Sequence, residues 1–169
     1  MSHASDGSRF TIREATTTSD QAAACALQFA VYVGDGYVEA ERAAINLKPE
    51  VLGSGGTQLI ACRPDGSVVG AVLYLREDSA LQQVAVNGER EIRMLGVARE
   101  ARGEGVGQAL VRTCIERARM DNASALVLWT RPTMKAAQRL YERLGFTRAT
   151  DRDMQDDRGF TRMVYAYVY

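Results

Sequence analysis

Between a strand-like run, Ile92 to Val97, and an amphipathic helix, the chain reads Arg102-Gly103-Glu104-Gly105-Val106-Gly107. Glycines at alternate positions leave bare backbone N–H groups at a helix N-terminus, a ready anion site. The same glycines would also suit a tight strand-to-helix turn with no ligand. Two familiar phosphate loops fit poorly. A P-loop needs Gly-Lys-Ser/Thr, but Gln108 and Ala109 follow Gly107. A dinucleotide fingerprint needs G-x-G-x-x-G, and the frames from Gly103 and Gly105 end on Gln108 and Leu110. The loop reads as a phosphate cradle of another kind.

Several chemistries are excluded at once. His3 is the only histidine and lies in a polar start whose first eight residues are expected to fray. That removes a Ser-His-Asp triad, a Cys-His pair and a histidine-rich zinc site, so no metal is expected. Cys25, Cys62 and Cys114 are odd in number and far apart, which suits reduced thiols and gives no disulfide framework. With 21 basic and 21 acidic residues, no overall field recruits nucleic acid or an acidic membrane. The first residues carry no signal-peptide pattern. The longest uncharged stretch, Gln21 to Gly34, is too short to span a bilayer and reads as a buried helix. A cytoplasmic protein follows as the expectation. Its 169 residues suit a single domain that buries about 70% of its unfolded surface.

The hydrophobic period predicts the order βααβββαβαββ, a mixed α/β fold with antiparallel strands early and a β-α-β crossover in the middle. Phe10 to Arg13 alternates as a first strand, and Ser19 or Asp20 caps a helix over Gln21 to Val33. Tyr37 to Ile45 reads as a second helix, and Gly53 to Gly56 as a loop. Leu59 to Cys62 and Val68 to Leu75 flank a hairpin turn at Arg63-Pro64-Asp65-Gly66-Ser67. Strands over Glu91 to Val97 and Ala125 to Thr130 enclose the glycine loop and its helix. A further helix carries Ala137, Leu140, Tyr141 and Leu144 and stops at Gly145. Phe146 to Ala149 and Met163 to Tyr169 close the chain as strands around a charged loop, Thr150 to Gly159.

At this point the residues carry a resemblance. Glu91-Ile92-Arg93-Met94-Leu95-Gly96-Val97, the glycine loop, and Leu140-Tyr141-Glu142-Arg143-Leu144-Gly145-Phe146 together resemble the GNAT superfamily of acyl-CoA-dependent N-acyltransferases. The loop is similar to that family's Arg/Gln-x-x-Gly-x-Gly/Ala motif, and Leu-Tyr-x-x-x-Gly-Phe to its later one. Either alone is weak; both in order, on the right elements, are strong.

The resemblance implies acetyl-CoA as cosubstrate, its pyrophosphate on the loop that begins at Arg102, against the amides of Gly103, Gly105, Val106, Gly107 and Gln108. It implies a central pair of strands that splay apart, with pantetheine pairing to the backbone of Val97. The N–H of Leu95 would face the thioester carbonyl, where oxyanion charge develops, and Gly96 suits a bulge or a close backbone approach. Plain core packing remains the other reading of Leu95 and Val97. Tyr141 would protonate the departing thiolate, or be a core tyrosine on its helix stripe. Glu91 would be the general base, directly or through water, or a solvated strand end. Asp35 and Glu39 are rivals for that proton or for holding the ammonium.

One departure stands out: Met134 occupies a place where the family often has asparagine, and a thioether donates no hydrogen bond. Trp129 reads as core. Tyr165, Tyr167 and Tyr169 alternate onto one face, which could line a pocket, pack beneath a helix or form the seam of a homodimer; packing is the expectation. The charged loop reads as solvated, or as a flap over the acceptor. The function expected is acetyl transfer to a small-molecule or peptide amine by direct attack on the thioester. The cysteines, without a histidine partner, argue against an acyl-enzyme. A catalytically silent acyl-CoA sensor is the first alternative and a nucleotide-binding oxidoreductase the second. Which amine accepts is not legible, because acceptor loops vary independently of the fold.

Overall fold

In the computed structural model, which describes residues 9–169, alternate residues of the central strand β3 (Val68–Leu75) face two different apolar layers. Val72 and Tyr74 join one core cluster, while Ala71, Leu73 and Leu75 join the clusters on the other side. That period of two dictates helices on both faces of the sheet. His3 and the expected frayed start lie outside the described residues.

The strands run β1 (Thr11–Glu14), β2 (Gly56–Cys62), β3, β4 (Arg90–Val97), β5 (Ala125–Thr130), β6 (Thr147–Arg148), β7 (Met154–Gln155) and β8 (Thr161–Val168). Their order in the sheet is β1-β2-β3-β4-β5-β8-β6, with β7 paired to β8 outside that path. All pairings are antiparallel except β4 with β5. The parallel pair is bridged by α4 (Val106–Met120), whose Leu110, Val111, Cys114, Ile115 and Ala118 are buried against the sheet. Helices α1 (Thr18–Gly34), α2 (Ala40–Asn46) and α3 (Pro49–Gly55) cover the other face; α5 (Lys135–Arg143) packs on the α4 side through Tyr141. Among the described residues no helix is long and apolar enough to cross a membrane.

The mixed sheet, the crossover and the early hairpin are as expected, and four local details differ. Thr17, not Ser19 or Asp20, caps α1, its hydroxyl accepting the Asp20 amide at 3.0 Å. The second helix begins at Ala40 rather than Tyr37. The expected loop Gly53 to Gly56 is instead the end of α3, opened by Pro49 in the first turn, where a missing N–H costs nothing. The charged loop contains the short strand β7, whose hairpin turn is held by Asp156 accepting the amides of Arg158 and Phe160.

Candidate active site

The sheet opens at its middle. β4 pairs with β5 only at Arg90↔Leu126 and Glu91↔Val127, and beyond Glu91 the two strands part. On its other edge β4 stays paired with β3, but Ala71 faces Gly96 while Leu73 faces Arg93. One extra β4 residue is therefore inserted, and Met94 takes φ 59° to fit it. The bulge lies at Met94, not at Gly96. Gly96 instead allows a close approach by α1, since a Cβ there would stand 3.3 Å from Leu27.

Two side chains of α1, one turn apart, hold the bulge. Gln28, fully buried, donates to the Met94 carbonyl at 3.0 Å and exchanges amide hydrogen bonds with Gln58. Tyr32 donates to the Leu95 carbonyl at 3.0 Å, and burial pushes its phenol up to about 12. In a trans peptide the N–H opposes the C=O, so fixing the Met94 carbonyl towards α1 sends the Leu95 N–H the other way.

Beside the splayed edge lies a cleft of about 580 Å³ lined by Leu95, Gly96, Val97, the loop from Arg102 to Gln108, and Tyr141. Gly105 caps α4 with φ 84° and no side-chain hydrogen bond, and the first intrahelical bond runs from Ala109 to Gly105. The amides of Val106, Gly107 and Gln108 therefore have no helical acceptor and sit at the positive end of a fifteen-residue helix. Among the described residues, an added Cβ at Gly103 or Gly105 would meet nothing within 4 Å. Gly107 differs: a Cβ there stands 3.3 Å from Leu140 and 3.6 Å from Val97, so it serves helix packing. The variants should separate accordingly. Gly105→Val should cost about 1–2 kcal/mol of stability through its left-handed backbone and at least roughly tenfold in coenzyme A affinity, as a branched chain fills the cradle. Gly107→Val should mainly lower the melting temperature. Unchanged affinity in a folded Gly105→Val protein would sink the cradle.

Tyr141 projects into the same cleft from α5. It is 6% exposed, and its hydroxyl has no hydrogen-bond partner among the described residues. Burial, with Tyr32 and Cys114 nearby, pushes its pKa well above that of an ordinary phenol. The ring is clamped by Phe146 and Tyr165 at centroid distances of 5.7 and 6.0 Å.

A second cleft, of about 460 Å³, opens on the other side of the bulge, bordered by Ile92, Arg93 and Met94 of β4. The two clefts share Tyr32, Tyr37, Trp129 and Met134 as lining. Trp129, expected in the core, is thus a wall between them; its indole donates to Gln83 at 2.7 Å. Met134 stands at the same junction, its sulfur accepting from Thr130 at 3.2 Å. The turn of the β7–β8 hairpin contributes Asp156 and Arg158 to this second cleft, so part of the charged loop is wall rather than solvated surface.

The structure does not bring Glu91 to either cleft. Its side chain is fully buried and accepts the amides of Gln83, Val84 and Ala85 at 2.9–3.0 Å. A carboxylate so occupied holds a loop; it is no solvated strand end, and it lines neither cleft. Asp35 lies beside the glycine loop, bound by Arg102 at 2.8 Å and Arg99 at 3.4 Å. Glu39 is the exposed N-cap residue of α2 and lines neither cleft. All three cysteines are free and buried, and burial pushes Cys114 up to about 12. Tyr165 is buried and Tyr169 exposed, their hydroxyls donating to Glu142 and to the Ile115 carbonyl.

A bulged, splayed strand with a glycine-capped helix on one side and a separate cleft on the other is the architecture of acyl-CoA-dependent acetyltransferases. The family model of the acetyltransferase (GNAT) family matches residues 28–146, more than half of the chain, which therefore belongs to that family. The fold superposes with a TM-score of 0.71 on a GCN5-related N-acetyltransferase from Kribbella flavida, at 20% identity over 97% of this chain and all of that one. A GNAT acetyltransferase from Brucella melitensis, solved in complex with acetyl-CoA, gives 0.66 at 19% identity, over 96% of this chain and 89% of the other. Among curated relatives, N-acetylaspartate synthetase of Danio rerio is 38% identical over 97 residues, 57% of this chain. That match covers 32% of the relative, so the chain spans about a third of its length.

Proposed function

We propose that this chain is a single N-acetyltransferase domain that moves an acetyl group from acetyl-CoA to a small amine by direct attack. The observation that carries the reading is the meeting of the two clefts at the Met94–Leu95 bulge, with Tyr141 lining the one on the glycine-loop side. The amides of Val106, Gly107 and Gln108, which have no helical acceptor, suit a pyrophosphate, and the edge of β4 that parts from β5 suits an amide-bearing pantetheine arm. Acetyl-CoA would supply an activated acetyl thioester. The Leu95 N–H is the donor for its carbonyl oxygen, and the Tyr141 hydroxyl the donor for the leaving sulfur. Relatives named for N-acetylaspartate synthesis and N-acetyltransfer support the amine as acceptor.

The amine's proton goes to water on this reading. Glu91 is committed to its loop, and among the described residues Asp156 is the one carboxylate lining the acceptor cleft. Burial would raise Asp156, but the amides of Phe160 and Arg158 together with nearby guanidiniums hold it below the usual carboxylate range, a poor base. Activity should therefore climb with pH as the acceptor amine itself deprotonates.

Ligand binding provides the direct test. Acetyl-CoA at 100 times its dissociation constant should stabilise the fold by about 2.7 kcal/mol, a rise in melting temperature of roughly 5–10 °C, while NAD should give little. Thiol release in the presence of an amine panel then reports transfer. A shift with NAD and none with acetyl-CoA would overturn the assignment, and binding without transfer to any amine would favour the silent sensor.

A further inference from the structure

The acceptor cleft is far more basic than the molecule around it. The chain has no formal net charge, yet among the described residues Arg42, Arg93, Arg131, Arg158 and Arg162 line this one cleft against a single carboxylate, Asp156. Arg42 is exposed and pairs with Asp157 at 3.4 Å. Among the described residues the other four form no salt bridge, although twelve such pairs occur elsewhere or at Arg42.

Arg131 is only 8% exposed; one guanidinium nitrogen donates to the Tyr37 carbonyl at 2.9 Å, and its buried Nε has no partner. The buried Nε of Arg162 is likewise unpartnered. Arg93 spends one N–H on the Leu81 carbonyl at 3.1 Å. Burial, reinforced by Arg158, pulls Arg131 below its ordinary pKa, and burial does the same to Arg93. Aromatic rings cover the guanidinium faces: Arg131 and Arg158 lie 4.4 and 5.0 Å from the Phe160 ring, and Arg162 lies 5.0 Å from Trp129. A stacked guanidinium is held in orientation with its N–H edge still available in plane, the geometry that grips a carboxylate. Asp156 is the carboxylate facing Arg131 and Arg162, so the guanidiniums outnumber their counter-charge, and a ligand's anion would offset the excess.

Resting on the acetyltransferase reading, we propose that the acceptor is a small amine bearing carboxylate, an amino acid with an acidic or neutral side chain, whose carboxylate docks on Arg131 and Arg162. Arg93 and Arg158 supply the surrounding positive field, and the volume of about 460 Å³ is that of a small-molecule site. Cationic amines are excluded by the same charges, since like charges brought together in a desolvated site repel strongly.

The test compares acceptors of similar size and different charge: aspartate and glutamate, asparagine, an amino-acid amide with both carboxyls neutralised, 2-aminoethylphosphonate, and spermidine. The expected order of kcat/KM is acidic amino acid, neutral amino acid, amide, spermidine, with at least a hundredfold between first and third, carried by KM and weakened by salt. A phosphonate that outperforms the carboxylates would replace carboxylate by phosphate-like oxyanion and overturn the proposal as stated. Arg131→Gln and Arg162→Gln should each collapse the acidic preference by at least tenfold, Arg131→Lys less. Arg112→Gln, on the exposed side of α4, should leave it intact. Melting temperature and acetyl-CoA affinity identify any variant that has simply misfolded. Equal losses with charged and uncharged acceptors, or a best substrate that is cationic, would overturn the inference. Calorimetric titration of aspartate into the coenzyme A complex separates this claim from the acetyltransferase reading: binding that needs Arg131 without any turnover sustains the anion site alone, and no binding sinks it.

Discussion

Tyr141→Phe should lower turnover by roughly a hundredfold or more, the usual worth of one positioned proton donor, while leaving the fold and the coenzyme A site nearly unchanged. The expectation comes from what the hydroxyl lacks. It has no hydrogen-bond partner among the described residues, so its removal orphans nothing and should shift stability by less than about 1 kcal/mol. The ring contacts with Phe146 and Tyr165 survive the substitution. Tyr165→Phe is the matched control: it deletes a hydroxyl that donates to Glu142 at 3.0 Å, away from both clefts, and should cost stability rather than rate. The raised pKa of Tyr141 fixes the pH behaviour. A phenol whose pKa is pushed up keeps its proton to higher pH, so a rate that needs the protonated form persists as pH rises through about 10, where an ordinary tyrosine would ionise. Burst kinetics with the phenylalanine variant should show the loss in kcat, with KM for acetyl-CoA little changed. An unaltered kcat, or an alkaline fall near pH 10 in the wild type, would remove Tyr141 from the chemistry.

The parts of this site legible in the chain are those built from backbone. Glycines at Gly103 and Gly105 announce a left-handed turn with bare amides, and the β-α order around them requires no knowledge of distant contacts. Side chains that act by tertiary placement were harder to read. Gln28 and Tyr32 sit inside a stretch that reads as a buried helix, and a polar glutamine amid apolar neighbours was the available signal that something there needed a hydrogen bond. Trp129 looked like core because strand periodicity cannot tell a wall of a cleft from a packed face. The arginines of the acceptor cleft come from α2, β4, the residue just after β5, the hairpin turn and β8. No local charge run announces them, and a formal net charge of zero conceals them. The bulge shows the same limit: Gly96 marked the right stretch of β4, yet the left-handed residue is Met94, held there by α1 rather than by its own preference.

Glu91 is where sequence and geometry part most sharply, and its substitution should have the largest effect on stability. Glu91→Ala leaves the amides of Gln83, Val84 and Ala85 without an acceptor in a fully buried place. At about 1–3 kcal/mol for each orphaned donor, with some recovered by entering water, the loss should be roughly 3–5 kcal/mol, or a fall in melting temperature of about 6–20 °C. Glu91→Gln can keep its carbonyl oxygen in the place of Oε2, which accepts all three amides, and turns an NH₂ only towards the Gln83 N–H, so it should lose a smaller part of that stability while staying folded. Function should suffer through the loop. Gln83 accepts from the Trp129 indole at 2.7 Å, so loosening the loop frees the wall of the acceptor cleft and raises KM for the amine. Coenzyme A affinity should change less than the acceptor KM, because Trp129 is shared with the cofactor cleft but the glycine cradle is carried by the start of α4. A general base behaves differently: Glu91→Gln would then keep the wild-type melting temperature, lose kcat at low pH and recover it as the amine deprotonates unaided. Melting curves, acceptor KM and a pH profile on one Glu91→Gln preparation distinguish the two. Recovery of rate at high pH in a protein of undiminished stability would return the base to Glu91; a pH-independent rise in KM with a lowered melting temperature makes it the positioning residue of the acceptor wall.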